Sequence, residues 1–253
     1  MLQEILSLNV YAFLLVFVRI GAFFLIATGF AGGQVSPRIR LIIALAFSFV
    51  LTPTLIDKLP PMPGSPVLLV ALIMGEFLIG AMIGSVVRIL FSAMQVAGTV
   101  TSFVSSMANA LVYDPIAESQ SAIISGFLGT IAVVLLFVTN LHLVMLQAMI
   151  DSYTLFKPGV LPPVGDMAEL ITHHVAGAFS LGVQLAAPMI VVAFTYYLGL
   201  GLLTRLEPNI PIFFVGLPLQ ILMALVTLMI TVSAICLYFM DRVGEGIRPF
   251  LAP

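Results

Sequence analysis

Charge is what this chain has least of. Asp, Glu, Lys and Arg together make up 8% of its 253 residues, while hydrophobic residues make up 61%, with a mean hydropathy of +1.23. A water-soluble domain of this length has too little interior to hide that much apolar surface, so the surplus must face lipid or other hydrophobic chains. Nor is there an excess of one sign: 9 basic and 11 acidic residues leave −2. Without a basic stripe there is no electrostatic footprint for nucleic acid. A single cysteine, Cys236, excludes an intrachain disulfide and reads as a small packing residue in an apolar run. The composition therefore defines an integral membrane protein and turns attention to its few polar residues.

What is present is a series of apolar runs. A membrane-crossing helix needs ~20 mostly apolar residues, and about six segments meet that length: Ile5–Phe30, Ile39–Ile56, Val67 towards Gln95 with a polar continuation, Ala122–Ile150, Val175–Leu203 and Ile212–Met240. The opening Met1-Leu2-Gln3-Glu4 lacks the basic residues of a secretory signal, and Arg19 interrupts the run that follows. This stretch reads as a retained first helix.

The breaks carry turn chemistry. Gly32-Gly33-Gln34-Val35-Ser36-Pro37, Leu59 to Pro66, Lys157-Pro158-Gly159, Leu161-Pro162-Pro163 and Glu207-Pro208-Asn209-Ile210-Pro211 all carry proline, the first three with glycine, in ways a helix does not tolerate. Asp166 three residues before Glu169 resembles a capping box, with Asp166 as N-cap of a helix leading into the fifth segment. The Lys/Arg bias of the loops does not set an orientation: Arg38, Arg40 and Arg205 would lie on one side, and Lys58, Lys157, Arg242 and Arg248 on the other.

Three ionisable residues, Arg19, Glu76 and Arg88, fall inside apolar segments. A charge at mid-membrane depth costs at least ~2.5 kcal/mol on insertion scales, so it faces protein or water. Glu76, Gly80, Gly84 and Arg88 are spaced by four and form one slowly turning helical stripe. Gly80 and Gly84 are a small-xxx-small pair suited to close helix approach. The stripe reads as a helix–helix contact with its charges paired to partner groups. Alternatively, Arg88 snorkels to an interface and Glu76 sits near a helix end. A proton-coupled site is the third alternative, although no chain of ionisable residues accompanies Glu76.

The stretch Gln95–Ser121 is rich in Ser, Thr, Asn and Gln, with Asp114 and Glu118 its only charges. Small hydroxyls and amides satisfy one another when a pore is shut and offer few charges to a passing chain. That suits a plug or a lining; an ordinary interfacial loop is the plainer alternative. Pro115 disfavours the helical region for Asp114 and ends any helix there. His142 stands alone, and His173 and His174 diverge by ~100° on a helix, so no metal site is expected. No Walker loop, nucleophile elbow or HExxH is present. No catalytic, cofactor-binding or metal-binding residues are assigned, and an enzyme is not expected.

The punctuation residues nonetheless form an order. Arg19, then Pro37-Arg38-Ile39-Arg40, lead to Gly75-Glu76 with Gly80 and Gly84, then Gln95-Val96-Ala97-Gly98. Asp114-Pro115, Leu141-His142, Ser152-Tyr153 and Pro158-Gly159 follow, then Leu203-Thr204-Arg205-Leu206-Glu207-Pro208-Asn209 and Phe213-Phe214-Val215-Gly216-Leu217-Pro218. In that order and spacing, over nearly the whole chain, the sequence resembles the FliR family of flagellar and type III secretion export-gate proteins. Two departures are visible. Ser105-Ser106-Met107-Ala108-Asn109-Ala110 stands where the family often has Gln-Gly. Pro208-Asn209 and Gln220 stand where it often has Pro-Gln and a lysine.

The resemblance implies an all-α membrane protein. Its hydrophobic helices, arranged as hairpins, would pack within a hetero-oligomeric helical export gate in the bacterial inner membrane, at the flagellar basal body. Residues 1–253 would form one membrane-embedded domain, with 1–120 an approximate FliP-like half and 121–253 an approximate FliQ-like half. The implied partners are FliP, FliQ and FlhB, with FlhA nearby, besides membrane lipid and the unfolded flagellar subunits that pass. The resemblance carries a plug role to Ser105, Ser106, Met107, Asn109, Tyr113, Asp114 and Pro115. It adds Arg205, Pro208, Gly216 and Pro218 to Glu76, Gly80, Gly84 and Arg88 as packing or partner-contact positions. A small-solute secondary transporter is the alternative; it would show paired halves around a midplane ionisable site.

Overall fold

The structure, a computed structural model, describes residues 2–31, 35–107, 111–114, 119–160, 163–206 and 212–251. Among these residues the regular structure is helical apart from one pair of short strands. The helices are α1 (Leu2–Ile26), α2 (Pro37–Leu55), α3 (Pro66–Val104), α4 (Ile123–Val138), α5 (Leu141–Leu155), α6 (Val164–Leu206) and α7 (Ile212–Ile247). Strands β1 (Leu111–Asp114) and β2 (Ser119–Ala122) lie between α3 and α4 and pair antiparallel, with Leu111 opposite Ala122 and Asp114 opposite Ser119. Four helical stretches are long and apolar enough to cross a membrane, 37–58, 66–104, 164–206 and 216–250, and the α4–α5 pair makes a fifth if it counts as one broken span. α1 adds an apolar helix from Val10 to Ile26.

The helices start and stop for local reasons. Ser36 caps α2, its hydroxyl accepting from the Ile39 N–H at 3.4 Å, and Pro37 fills the first helical position, where a missing N–H costs nothing. α2 ends at Leu55, two residues after Pro53, and gives way to a 3₁₀ turn, Ile56–Lys58. Gly159, at φ 91°, makes the turn after α5, and a Cβ there would stand 3.0 Å from that of Pro60, so two proline-rich connections touch.

Three expectations change. The run Ala122–Ile150 is not one helix: it breaks at Thr139-Asn140, where Asn140 takes φ 57°. Asn tolerates that left-handed region because its short amide can bond locally. The third segment does not yield to polar composition at Gln95 but continues as helix to Val104. Its hydroxyls bond back to the helix itself, as Thr99 Oγ1 does to Gln95 O at 2.8 Å and Ser102 Oγ to Gly98 O at 2.8 Å. Asp166 is not an N-cap: α6 begins at Val164, and Asp166 lies inside its first turn, where a carboxylate still favours the positive end of the helix dipole. The helix does lead into the fifth segment, as expected: α6 is continuous over 43 residues and runs through Pro188.

Contacts divide the chain into two compact units. The first comprises residues 1–90, 136–175 and 244–253. In it Phe24 meets Phe47 of α2 edge-on at 6.1 Å. Its interior includes Leu15, Val16, Ile20, Phe23, Ile79 and Ile83, each at most 2% exposed. The second comprises residues 91–135 and 176–243. There α3 and α4 run antiparallel. A Cβ on Gly98 would overlap the Ser125 backbone, and the Ser125 hydroxyl donates to Gln95 O at 3.0 Å. α6 and α7 are also antiparallel, Tyr196 meeting Gly216 and Gln184 meeting Tyr238. Neither unit corresponds to residues 1–120 or 121–253.

Candidate functional site

Within the first unit two of the three charges that fall inside apolar segments, Arg19 and Glu76, converge. A Cβ on Gly80 would overlap the Arg19 carbonyl, and one on Gly84 would lie 3.1 Å from both the Phe23 carbonyl oxygen and the Ile26 Cβ. The two glycines thus let the α1 backbone lie directly on α3, as small residues do in membrane helix pairs. One turn before Gly80 stands Glu76, 2% exposed, and the Arg19 side chain, fully buried, reaches it: Arg19 Nε donates to Glu76 Oε2 at 2.5 Å.

Arg19 makes further contacts with its remaining donors. Nη1 donates to Ser152 O at 3.2 Å and to Ser152 Oγ at 3.3 Å, and Nη2 to Phe156 O at 3.2 Å. These groups lie at the C-terminal end of α5, the negative end of its helix dipole; Ser152 O also accepts the Phe156 N–H at 2.8 Å, whereas Phe156 O lies beyond the last helical bond. The guanidinium carbon lies 4.1 Å from the centre of the Tyr153 ring, a cation–π contact. Ser152 donates its own hydroxyl proton to Met149 O at 2.6 Å, which leaves its oxygen lone pairs for Arg19. One side chain therefore ties α1, α3 and the end of α5 together. Its planar fork suits the task, whereas a lysine could not reach three groups in fixed directions.

Arg88, the last member of the stripe, is exposed. Each four-residue step on a helix turns ~40°, so after three steps Arg88 stands ~120° from Glu76 and has left the face that meets α1. The partner of Glu76 came from another helix, and reading along one helix could not identify it. Opposite charges in two separate apolar segments were the available signal, because a buried charge needs a countercharge.

In the second unit lies the polar stretch. Ser105 is 1% exposed; its N–H bonds to Thr101 O at 3.0 Å and its hydroxyl to Ser102 O at 3.2 Å. Ser106 follows at φ 61°, and Met107 is half-buried. Tyr113 and Asp114 belong to β1, opposite Gln120 and Ser119. Asn109, Pro115 and Pro208 lie outside the described residues. Arg205 is exposed in the last turn of α6, where its charge favours the helix dipole. Gly216 is buried, with its carbonyl accepting from the Tyr196 hydroxyl at 2.5 Å, and Pro218 is exposed within α7. Gln220, noted in the sequence only for its departure from a family pattern, is 5% exposed and hydrogen-bonded to two other helices.

No cluster of three or more His, Cys, Asp or Glu that could hold a metal ion occurs among the described residues. His142 packs on Phe137, and His174 approaches Leu170 O at 2.8 Å.

A membrane-embedded helical chain stabilised by buried polar ties is the class these features define. Residues 10–246 match the profile of bacterial export proteins, family 1. The chain is 36% identical over 239 residues to the flagellar biosynthetic protein FliR of Caulobacter vibrioides, covering 94% of this chain and 95% of that protein. It is 31% identical over 227 residues to FliR of Bacillus subtilis (88% and 87%), and 25% identical over 219 residues to FliR of Escherichia coli (87% and 83%). The chain belongs to the FliR family of bacterial export proteins.

Proposed function

We propose that this chain is a structural, non-enzymatic, pore-forming subunit of the flagellar type III export gate. It assembles with FliP and FliQ in the bacterial inner membrane, with FlhB around the entrance and FlhA nearby, and unfolded flagellar subunits pass through the assembly. In this reading residues 1–120 are the FliP-like half and 121–253 the FliQ-like half. Ser105, Ser106, Met107, Asn109, Tyr113, Asp114 and Pro115 belong to the plug that closes the channel.

The observation that carries this reading is near-complete coverage: similarity to flagellar biosynthetic relatives extends over 94% of this chain. Surface chemistry supports it. In the most apolar window of α7 only 17% of residues are buried within the chain, and in that of α2 only 28%. Phe49 and Val50 on α2 and Met229 and Ile230 on α7 are each at least 68% exposed. Neighbouring subunits, together with lipid, would cover these faces. The buried polar groups support a structural role too. The Arg19 guanidinium is surrounded by helix-end carbonyls, a serine and an aromatic ring, an arrangement that fixes helices.

The test is purification of a tagged copy with and without FliP and FliQ, with the product weighed by native mass spectrometry. Expressed alone, the chain is expected to be degraded or to aggregate; co-expressed, it should extract as one stable complex. A monodisperse monomer or homodimer that moves a small solute in liposomes would sink the export-gate reading and favour a secondary transporter.

A further inference from the structure

We propose that Gln220 is the residue that anchors the start of the polar segment to α6 and α7, and that losing its two hydrogen bonds opens the shut gate. This inference rests on the plug reading given above. Gln220 lies on α7, two residues after Pro218, and is 5% exposed. Its Nε2 donates to Val104 O at 2.7 Å and to the Tyr197 hydroxyl oxygen at 2.8 Å. A primary amide nitrogen carries two hydrogens, and both are used here. One goes to the last residue of α3, the other to a side chain of α6.

The position of Val104 gives this bond its meaning. Val104 ends α3, and its carbonyl is among those left without an intrahelical donor. Two residues on, Ser106 turns the chain out of the helix at φ 61°, a region that disfavours residues with a Cβ. The chain thus enters the polar segment through a strained residue, and a strained residue persists where its surroundings hold it. The Tyr196 hydroxyl, bonded to Gly216 O at 2.5 Å, fixes α7 to α6 about one turn from Gln220.

Packing at this point is incomplete. Val104, Ser105, Met189, Tyr196, Gln220 and Met223 are among the residues lining a small cavity here. Six of the nine lining residues are Val, Met or Ala, whose side chains offer at best the weak acceptor of a thioether; the Ser105 and Tyr196 hydroxyls already donate to Ser102 O and Gly216 O. If α3 and α7 separate at this point, a buried N–H loses its partner, and that penalty is what favours the anchored state.

The experiment uses the complex with FliP and FliQ carrying Gln220→Met, which keeps length and volume but removes both donors. The complex is expected to keep its mass by native mass spectrometry. Its small-ion leak in planar bilayers should rise about tenfold, the consequence of losing ~1.4 kcal/mol from the shut state. A second measurement follows maleimide labelling of Ser105→Cys in a Cys236→Ala background; with Gln220→Met the rate should rise by a similar factor. Simple packing by Gln220 would leave both readouts at the parent level, since methionine fills the same space.

Deletion of residues 105–115 separates the two readings. If the deletion leaks and Gln220→Met does not, the anchoring role falls and the plug reading stands. If neither leaks in an assembled complex, both fall. Should Gln220→Met fail to assemble, Tyr197→Phe decides: removing one acceptor should raise leak severalfold, and a leak equal to the parent complex overturns the proposal.

Discussion

Removing Arg19 should cost more than removing both members of its ion pair together. Arg19→Ala leaves the Glu76 carboxylate, 2% exposed, without its countercharge; it also removes the side-chain donor to Phe156 O, while Ser152 O keeps the Phe156 N–H. Truncating one partner of a buried pair destabilises by roughly 3–5 kcal/mol, because an uncompensated charge remains. For a chain of this size ~1 kcal/mol moves a melting midpoint by ~2–4 °C, so a loss on the order of 10 °C is expected. Glu76→Ala should lose somewhat less, because its orphan, the guanidinium, keeps two carbonyls, a hydroxyl and the Tyr153 face.

The double variant Arg19→Met/Glu76→Leu removes both charges and refills the volume with apolar atoms. Replacement of a whole buried pair in this way is often nearly neutral, and here the residual cost is the unsatisfied end of α5, about 1–3 kcal/mol. The predicted order of loss is therefore Arg19→Ala, then Glu76→Ala, then the double variant. The assay is heat-induced loss of the co-purified complex, followed by fluorescence-detected size-exclusion chromatography. A midpoint for Arg19→Ala within about 2 °C of the parent, or a double variant less stable than either single one, would falsify the claim that desolvated charge dominates this site.

Three further outcomes follow from local geometry. Gly80→Leu should prevent close approach of α1 and abolish recovery of the complex, whereas Gly177→Ala, where an added Cβ meets nothing within 4 Å, should leave yield unchanged and stabilise α6 by ~0.5–1 kcal/mol; equal yields of the two variants would count against the α1–α3 contact. Asn140→Ala should lower the midpoint by about 2–4 °C for the ~1 kcal/mol cost of a left-handed Ala, and Asn140→Gly should not; equal midpoints would mean the break is not held at Asn140. Deleting residues 105–115 in an assembled complex should raise membrane conductance, and an unchanged conductance would return that stretch to an ordinary loop.

Membrane class was legible because it follows from composition and run length, which need no knowledge of neighbours; helix number was not, since about six apolar runs became seven α-helices among the described residues when 122–150 broke in two. Gly80 and Gly84 were also legible as close-approach positions: spacing along one helix is local information. What they approach was not, since nothing in residues 76–88 names α1. Arg19 stood in the sequence as an interruption of an apolar run, and its partners, Glu76, Ser152 and Phe156, lie 57, 133 and 137 residues away. Asn140 was missed because apolar continuity from Ala122 to Ile150 outweighed one residue able to adopt a left-handed turn.

Gln220 shows a further difficulty. A glutamine within an apolar helix reads as a blemish or as a departure from a pattern, and its value comes from two acceptors, one of them a backbone carbonyl. Carbonyls are present at every residue, so their availability is invisible until helix ends are placed. The polar groups that matter in this chain are therefore of two kinds. Arg19 and Glu76 could have been matched by charge alone, whereas the Val104 and Phe156 carbonyls became partners only because α3 and α5 stop where they do. A lipid-facing chain has little water available to satisfy such helix ends, so a long polar side chain from another helix is the expected partner at each of them.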